Sequence, residues 1–436
     1  MTKTTCLLTP QSVKPQLQKR VLTLCKDNKF LFLDPDKPDW LVTNQNGATA
    51  ISLCDGRLSI EAIANKISQS VNKNLHKDIT SFLLEIKKTR SIFDTDIGTG
   101  GFNHKLRIAQ FSLTQKCNLQ CIYCYAASRP ETKSSQSLSL QEYIRLIDDI
   151  NAIQKGVGIA LTGGEPLLSE NCISIGKYAA ESGNSPHLLT NGILISDKNA
   201  RQLADIFSLI KISLDGNEPE LHDLHRGAGS FSKVMRAIDI LDAYDAKISL
   251  AMTVTQKNIH NIASMAAQFG KRLTFQPLFT AGRGTGLKNL TITGSEYYNA
   301  LSSAKGVNPL ARLSSSLDNA RNKGIYKCAI GDGEISISET GDVFPCQLLH
   351  EENFLAGNIR SQPLQEIYEN SSALRMCRKL DVNKVKGCQE CPVRLICGGA
   401  CRARAFHEKG RIDVSGDFCE YEEQAIINGI FDSHKI

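Results

Sequence analysis

A chain of 436 residues, 41% apolar and 22% charged, has the length of about two to four soluble domains, and no run of about 18 uncharged apolar residues exists to span a membrane. The net charge of +6 comes without a dense Lys/Arg run, which gives no footing for nucleic acid. The chain has fifteen cysteines, and its N-terminus, MTKTTCLLTPQSVKPQLQKR, has no long apolar segment and no small-residue cleavage site, so metal ligation in the cytoplasm is expected rather than a disulfide framework.

Lys29 to Leu33 and Trp40 to Thr43 read as short strands around the turn Asp34-Pro35-Asp36, and Asn46-Gly47 is a further turn. Ala48 to Leu53 reads as a helix ended by Asp55-Gly56. Ser59 caps a second, with Ile60, Ile63, Ala64 and Ile67 on one face. Asp78 opens a third, with Ile79, Phe82, Leu83 and Ile86 inward. Strands followed by three helices suggest a small winged-helix unit. This order, with the run ATAISLCDGRLSIEAIANKI, resembles over residues 24–94 the peptide-recognition element of peptide-modifying enzymes, a relative of the small peptide chaperone of pyrroloquinoline quinone biosynthesis (PqqD-like). The resemblance implies that the leader of a precursor peptide adds as a strand to the sheet edge. A DNA-binding winged helix would want a basic recognition helix, whereas the helix from Ser59 carries Glu61 and Lys66. Cys54 reads as core, and Cys6 and Cys25 have no partner pattern. Ser91 to His104, with Gly98, Gly100 and Gly101, reads as a linker, which sets the first domain at 1–95.

From 96 to 310 strands and helices alternate, the pattern of a parallel sheet. The first strand ends at Phe111 to Leu113 and runs straight into Cys117, Cys121 and Cys124, spaced C-x3-C-x2-C. Three thiolates on one loop can hold three corners of a cubane iron–sulfur cluster and leave the fourth iron open. Structural zinc wants four ligands, usually as two C-x2-C-like pairs, and fits this loop poorly. Ser139 and Glu142 form a capping-box signal. Further strands are expected at Val157 to Leu161, Leu188 to Thr190, Ile210 to Leu214, Ile248 to Val254 and Leu273 to Phe279. Polar or glycine-rich motifs sit at the ends of these strands, the catalytic edge of barrel-like α/β folds.

With Tyr123 before its last cysteine, the loop resembles the signature of the radical S-adenosylmethionine (SAM) superfamily, and Gly163-Gly164-Glu165-Pro166 matches that family's glycine–glycine–glutamate–proline motif. The resemblance implies a partial (β/α)6 barrel. It also implies a [4Fe–4S] cluster whose open iron binds the amino and carboxylate groups of SAM, cleaved on reduction to a 5′-deoxyadenosyl radical. Glycines admit a ligand close to the backbone, and the Glu165 carboxylate suits the SAM ammonium. Asn191 and Ser213 are placed for ribose or carboxylate contacts, with Thr253 a further candidate. Asp215 either contacts cofactor or substrate, as the one catalytic candidate, or forms an Asp-Gly turn. His222, His225 and Arg226 in LHDLHRGAGSF resemble a segment of the peptide-modifying branch, but read first as a solvated loop on the barrel rim. Gln276 and Arg283 could face substrate, and Cys172 reads as structural.

In 311–436, Glu334 to Ile337 and Asp342 to Phe344 read as a hairpin turning at Thr340-Gly341. Around it lie Cys328, Cys346, Cys388, Cys391, Cys397, Cys401 and Cys419 in the order C-x12-G-x4-C, gap, C-x2-C-x5-C-x3-C, gap, C. This resembles the SPASM extension in full. The resemblance implies two auxiliary iron–sulfur clusters: one on Cys388, Cys391, Cys397 and Cys419, the other on Cys328, Cys346 and Cys401. The fourth iron of the latter is open or held by another group; some family members place an extra cysteine between the first two motif positions, and this chain has none there. Cys377 is a fallback that its basic stretch RMCRKL argues against, and two zinc-ribbon sites are the alternative reading.

The expected function is a maturase of a ribosomally made peptide that installs a carbon–carbon or thioether crosslink, with a flavodoxin or ferredoxin as electron donor. The alternatives are a peptide epimerase, a sulfatase maturase making formylglycine, a quinone- or haem-cofactor maturation enzyme and, from another class, a non-catalytic zinc-containing peptide carrier.

Overall fold

The computed structural model describes residues 10–93, 105–132, 136–307 and 328–434. The domain boundaries expected near 95 and 310, the glycines of the linker and Cys6 lie outside the described residues.

Three strands, β1 (Leu22–Lys26), β2 (Lys29–Asp34) and β3 (Asp39–Thr43), form an antiparallel sheet in the order β1-β2-β3, followed by helices Gln45–Ser52, Ile60–Ser70 and His76–Thr89. Strand β1 went unread because LTLCK has no turn residue before it; the chain reverses at Asp27 and Asn28, both in left-handed backbone conformation. Ser59 caps as expected, its Oγ accepting from Ala62 N at 3.2 Å. The sheet's strands β2 and β3 are buried on both faces by strict alternation. Phe32 and Leu41 face the three helices. Leu31, Leu33, Trp40 and Val42 belong to the core that also holds Tyr421, Ile426, Ile430 and Phe431 of the C-terminal helix Cys419–Ser433. Lys26 Nζ donates to Asn428 Oδ1 at 2.7 Å, Lys29 Nζ to the His434 carbonyl at 2.8 Å, and Arg394 pairs with Asp36 at 3.2 Å. The N-terminal sheet and the C-terminal helix are therefore one packed body. Trp40→Ala is expected to lower stability by about 3–5 kcal/mol, read as a shift in the denaturant midpoint of the whole protein. The segment read as a linker begins with a buried 3₁₀ turn, Ser91–Phe93, whose Ser91 Oγ donates to Asp34 Oδ2 at 2.5 Å.

Among the described residues the second sheet has nine strands. Strands β4 (Ile108–Ser112), β5 (Gly158–Thr162), β6 (Ser185–Thr190), β7 (Leu209–Ser213), β8 (Ile248–Val254) and β9 (Leu273–Pro277) are parallel neighbours in sequence order, as the six-strand partial barrel requires. The expected hairpin is present as β10 (Glu334–Ile337) and β11 (Asp342–Phe344), joined by β12 (Gly357–Asn358). It is no separate layer: β10 pairs in parallel with β4, Ile335 opposite Ala109, so the cysteine-rich segment extends the barrel sheet.

The helix Leu140–Ile153 opens with the expected capping box, Ser139 N donating to Glu142 Oε2 at 2.7 Å. Arg360 donates to the other oxygen at 2.6 Å, and this bond holds the carboxyl down at about 2. A depressed carboxylate adds stability above its ordinary titration range and loses it as pH falls from about 4.5 towards 2. Glu142→Gln is expected to cost about 1 kcal/mol at pH 7 and to flatten that acid limb in denaturant titrations.

Candidate functional site

The cysteine loop leaves β4 beside the end of β5, Leu113 N donating to the Thr162 carbonyl at 2.9 Å. Its shape is held from outside. Cys117 N donates to the Arg129 carbonyl at 3.2 Å and Ile122 N to the His225 carbonyl at 3.0 Å. Arg283 reaches it three times: its backbone N donates to the Cys124 carbonyl at 2.9 Å, Nε to the Cys121 carbonyl at 2.8 Å, and Nη1 to the Ser128 carbonyl at 2.7 Å. Expected to face substrate, Arg283 is instead the clamp on the loop, because a guanidinium can donate to several carbonyls at once.

Gly163 and Gly164 lie against the same loop. Gly164 N donates to the Thr114 carbonyl at 2.7 Å and Glu165 N to the Lys116 carbonyl at 2.9 Å. Gly163 has φ +128, and a Cβ on either glycine would collide with a loop carbonyl, that of Thr114 or of Lys116. Glu165 departs from its expected role on the SAM ammonium. It is fully buried, away from the cavity walls, accepting from Thr190 Oγ1 at 2.7 Å, Asn191 N at 2.8 Å and Leu167 N at 3.1 Å. Burial pushes its carboxyl up to about 7. The carboxylate ties the end of β5 to the end of β6, and Asn191 passes that order on. Asn191 Nδ2 donates to Asn118 Oδ1 at 2.7 Å and lies 3.8 Å from Cys117 Sγ.

Asp215, the catalytic candidate, is fully buried and does not reach the cavity. It accepts from Arg226 Nε at 2.6 Å, from Thr253 N at 2.8 Å and from the Tyr123 hydroxyl. Arg226 holds its carboxyl below the ordinary range against the opposing effect of burial. Asp215 is thus an anchor for Arg226 and Tyr123, which do line the cavity, and not an acid or base at its surface. The solvated rim loop expected around it is a helix, Pro219–Arg226, with His222, His225 and Arg226 buried. The sequence misled there because its polar residues face inward, His225 Nε2 lying 2.9 Å from Thr255 Oγ1 and His222 Nδ1 accepting from Asp215 N at 3.2 Å.

These elements enclose a cavity of ≈ 550 Å³, in the range of small-molecule sites. Cys117, Cys121, Cys124, Gly163, Gly164 and Asn191 stand on one wall. Ser213, Thr253 and Gln276 line it from β7, β8 and β9. Cys328, Cys346 and Cys401 line the same cavity, with Cys397 also bordering it. The C-terminal thiols fall into two neighbourhoods. Cys346 feels Cys401 and Cys328, whereas Cys391 feels Cys388 and Cys419, and Cys397 feels Cys391 and Cys419. Cys377 turns inward beside Cys328, in the same apolar cluster, while its neighbour Arg378 turns away to the Gly331 carbonyl at 2.6 Å. Lys211, Gln110 and Glu334 also border the cavity and went unread. The alternation Leu209, Lys211, Ser213 on the inner face of β7 was the available signal.

The donor set suits cubane clusters. Among the described residues no three His, Cys, Asp or Glu side chains converge on a point that one metal ion could fill. A cubane spreads its thiolates over separate irons, so thiols set apart around a common space fit it better than they fit a single tetrahedral ion. Every described cysteine is free of disulfide. Burial pushes Cys117, Cys328 and Cys391 each up to about 11, so these thiols keep their protons at neutral pH until a metal displaces them.

Comparison with known proteins agrees with this geometry. Residues 111–267 match the Radical SAM superfamily and residues 328–392 match an iron–sulfur cluster-binding domain, SPASM. The AdoMet-dependent heme synthase of Methanosarcina barkeri is 29% identical over 350 residues, 73% of this chain and 96% of that protein. The mycofactocin maturase MftC of Mycolicibacterium smegmatis is 30% identical over 312 residues, 68% of this chain and 78% of that protein. In fold, Streptococcus suis SuiB bound to S-adenosylmethionine superposes with a TM-score of 0.57 at 13% identity, over 92% of this chain and 99% of its own. The chain belongs to the radical SAM superfamily, with a C-terminal SPASM iron–sulfur domain.

Proposed function

We propose that this radical SAM enzyme matures a ribosomally made precursor peptide by installing a carbon–carbon or thioether crosslink. One observation carries the reading: the triad Cys117, Cys121 and Cys124 and the group Cys328, Cys346 and Cys401 border the same cavity, so a side chain entering it shares that space with both groups of thiols. The bound cluster and SAM supply a radical able to abstract hydrogen from an unactivated carbon. Closing a crosslink then releases one further electron, for which an adjacent auxiliary cluster is a suitable acceptor. Gly163, Gly164, Asn191, Ser213 and Thr253 are the residues proposed to hold SAM, and Tyr123 and Arg226, fixed by Asp215, brace the wall behind it. Two auxiliary clusters, on the two neighbourhoods described above, are the proposed cofactors, with a flavodoxin or ferredoxin as electron donor.

The N-terminal unit, 1–95, is proposed as a winged-helix, PqqD-like leader-binding domain ahead of a barrel at 96–310 and a SPASM domain at 311–436. Three points support it. The unit is a sheet-plus-three-helix body with an edge strand, β1, whose residues are half exposed. The SuiB match covers 92% of this chain, which leaves too little unmatched to omit residues 10–93. A SuiB structure is also described as bound to precursor peptide SuiA. Leader binding raises the local concentration of the core peptide at the cavity.

A short open reading frame found in the DNA flanking this gene would supply the candidate precursor; co-expression with that peptide, followed by mass spectrometry, tests the reading. Loss of two hydrogens is the expected result. Gain of one deuterium in heavy water with no other change replaces the crosslink with epimerisation. Oxidation of a Cys or Ser to formylglycine indicates a sulfatase maturase, and modification of a quinone or haem precursor instead of any peptide indicates cofactor maturation. Absence of iron and sulfide after anaerobic purification leaves only a peptide carrier.

A further inference from the structure

Lys211 stands out among the groups that the chemistry above does not use. It lies on β7 with its side chain bordering the cavity, on the same inward face as Ser213. They are two positions apart, about 6.6 Å along a strand, so Lys211 sits one layer deeper in the barrel. Its partners in register are Leu189 on β6 and Ser249 on β8, neither of which is an anion. The other two cations of the cavity wall are engaged: Arg226 with Asp215 at 2.6 Å, and Arg404 with the Pro277 and Leu278 carbonyls, each at 3.0 Å. For Lys211, among the described residues, no carboxylate lies within ion-pair distance and no hydrogen bond to its ammonium forms. Burial lowers its affinity for a proton, with no anion to oppose that effect. A cation withdrawn from water is ordinarily paired. Here the open side of the ammonium is the cavity.

We propose that Lys211 is a specificity-determining residue that pairs with a carboxylate of the substrate, the side chain of an aspartate or glutamate or the C-terminus of the core peptide, and so fixes which carbon faces the radical. This rests on the reading of the substrate as a peptide. Ser213, one layer nearer the cysteine loop, is left to SAM, and Lys211 takes the part of the ligand that reaches past it. No bond is made or broken by this residue; it orients. A point charge on a flexible stem suits a carboxylate whose exact position varies.

The test compares wild-type, K211Q and K211R holoenzymes acting on the precursor peptide that the co-expression experiment identifies, in its natural form, with each acidic residue changed to its amide, and with an amidated C-terminus. K211Q is expected to raise KM for the natural peptide at least about tenfold while KM for SAM stays within about twofold. One neutralised peptide is expected to reproduce that loss with wild type and to show no further loss with K211Q, and K211R to retain part of the activity. A second arm needs no turnover. N-acetylglutamate amide, and not N-acetylglutamine amide, is expected to protect Lys211 from amine labelling, read by peptide mapping. A rise in KM for SAM alone, or no change in either KM, overturns the assignment. So does equal labelling with both amides. If wild type modifies no peptide but protection is carboxylate-specific, the anion site stands and the peptide reading falls.

Discussion

Replacing any one of Cys117, Cys121 or Cys124 by alanine is expected to abolish 5′-deoxyadenosine formation and to remove one cluster's worth of iron while leaving the C-terminal cysteines loaded. The three thiols sit on a loop whose backbone is fixed elsewhere, by Arg283, by the Arg129 carbonyl and by the Thr114 and Lys116 carbonyls pairing with the glycine turn. Removing one thiol therefore leaves the fold in place and subtracts a ligand. Iron and sulfide analysis, visible absorbance and SAM cleavage with a strong reductant, measured on anaerobically reconstituted protein, check it. Wild-type rates of SAM cleavage in all three variants would remove the loop from the chemistry. The same substitutions at Cys388 or Cys419 are expected to lower iron but leave SAM cleavage measurable, since these residues belong to the other neighbourhood.

Gly164→Val is expected to lower SAM-dependent turnover by about a hundredfold or more, the scale associated with misplacing a reacting group by about 1 Å. A Cβ there collides with the Lys116 carbonyl, one residue before Cys117, and backbone has no alternative rotamer with which to yield. The loop must move, and the 2.9 Å bond from Glu165 N to Lys116 is lost with it. SAM binding by equilibrium dialysis and iron content separate the two outcomes. Loss of iron indicates a displaced cysteine loop, whereas full iron with weakened SAM binding indicates a blocked ligand surface. Gly183 is the control: its surroundings leave a Cβ nothing within 4 Å, so any loss in Gly183→Ala comes from its φ of +80 alone and is expected to be small in turnover.

Substitutions around Asp215 act differently from substitutions at a catalytic base. Asp215 is sealed beneath Arg226 and Tyr123, so removing it strands a buried guanidinium, and breaking such a pair costs about 3–5 kcal/mol. Its loss is read first in stability and only then in rate.

The order of the parallel strands, the three cysteines after β4, the glycine turn after β5 and the seven C-terminal cysteines were all written in the chain. Each is a local signal: an apolar run of strand length, a ligand spacing, a turn residue at a strand end. Ser139 with Glu142 and Ser59 were legible for the same reason, since a helix cap is settled within four residues. Only the tertiary structure decided which polar groups face the cavity. Glu165, Asp215 and Arg283 carry the charges expected of ligand contacts, yet direct them to backbone groups and to neighbouring side chains such as Thr190 and Arg226, while Lys211 and Glu334 face the open space. Only it joined β10 to β4 and the N-terminal sheet to the helix Cys419–Ser433. The physical reason is sequence distance. A spacing motif constrains neighbours in the chain, whereas burial, pairing and register depend on partners hundreds of residues away, which an alternating or helical pattern can demand but cannot name.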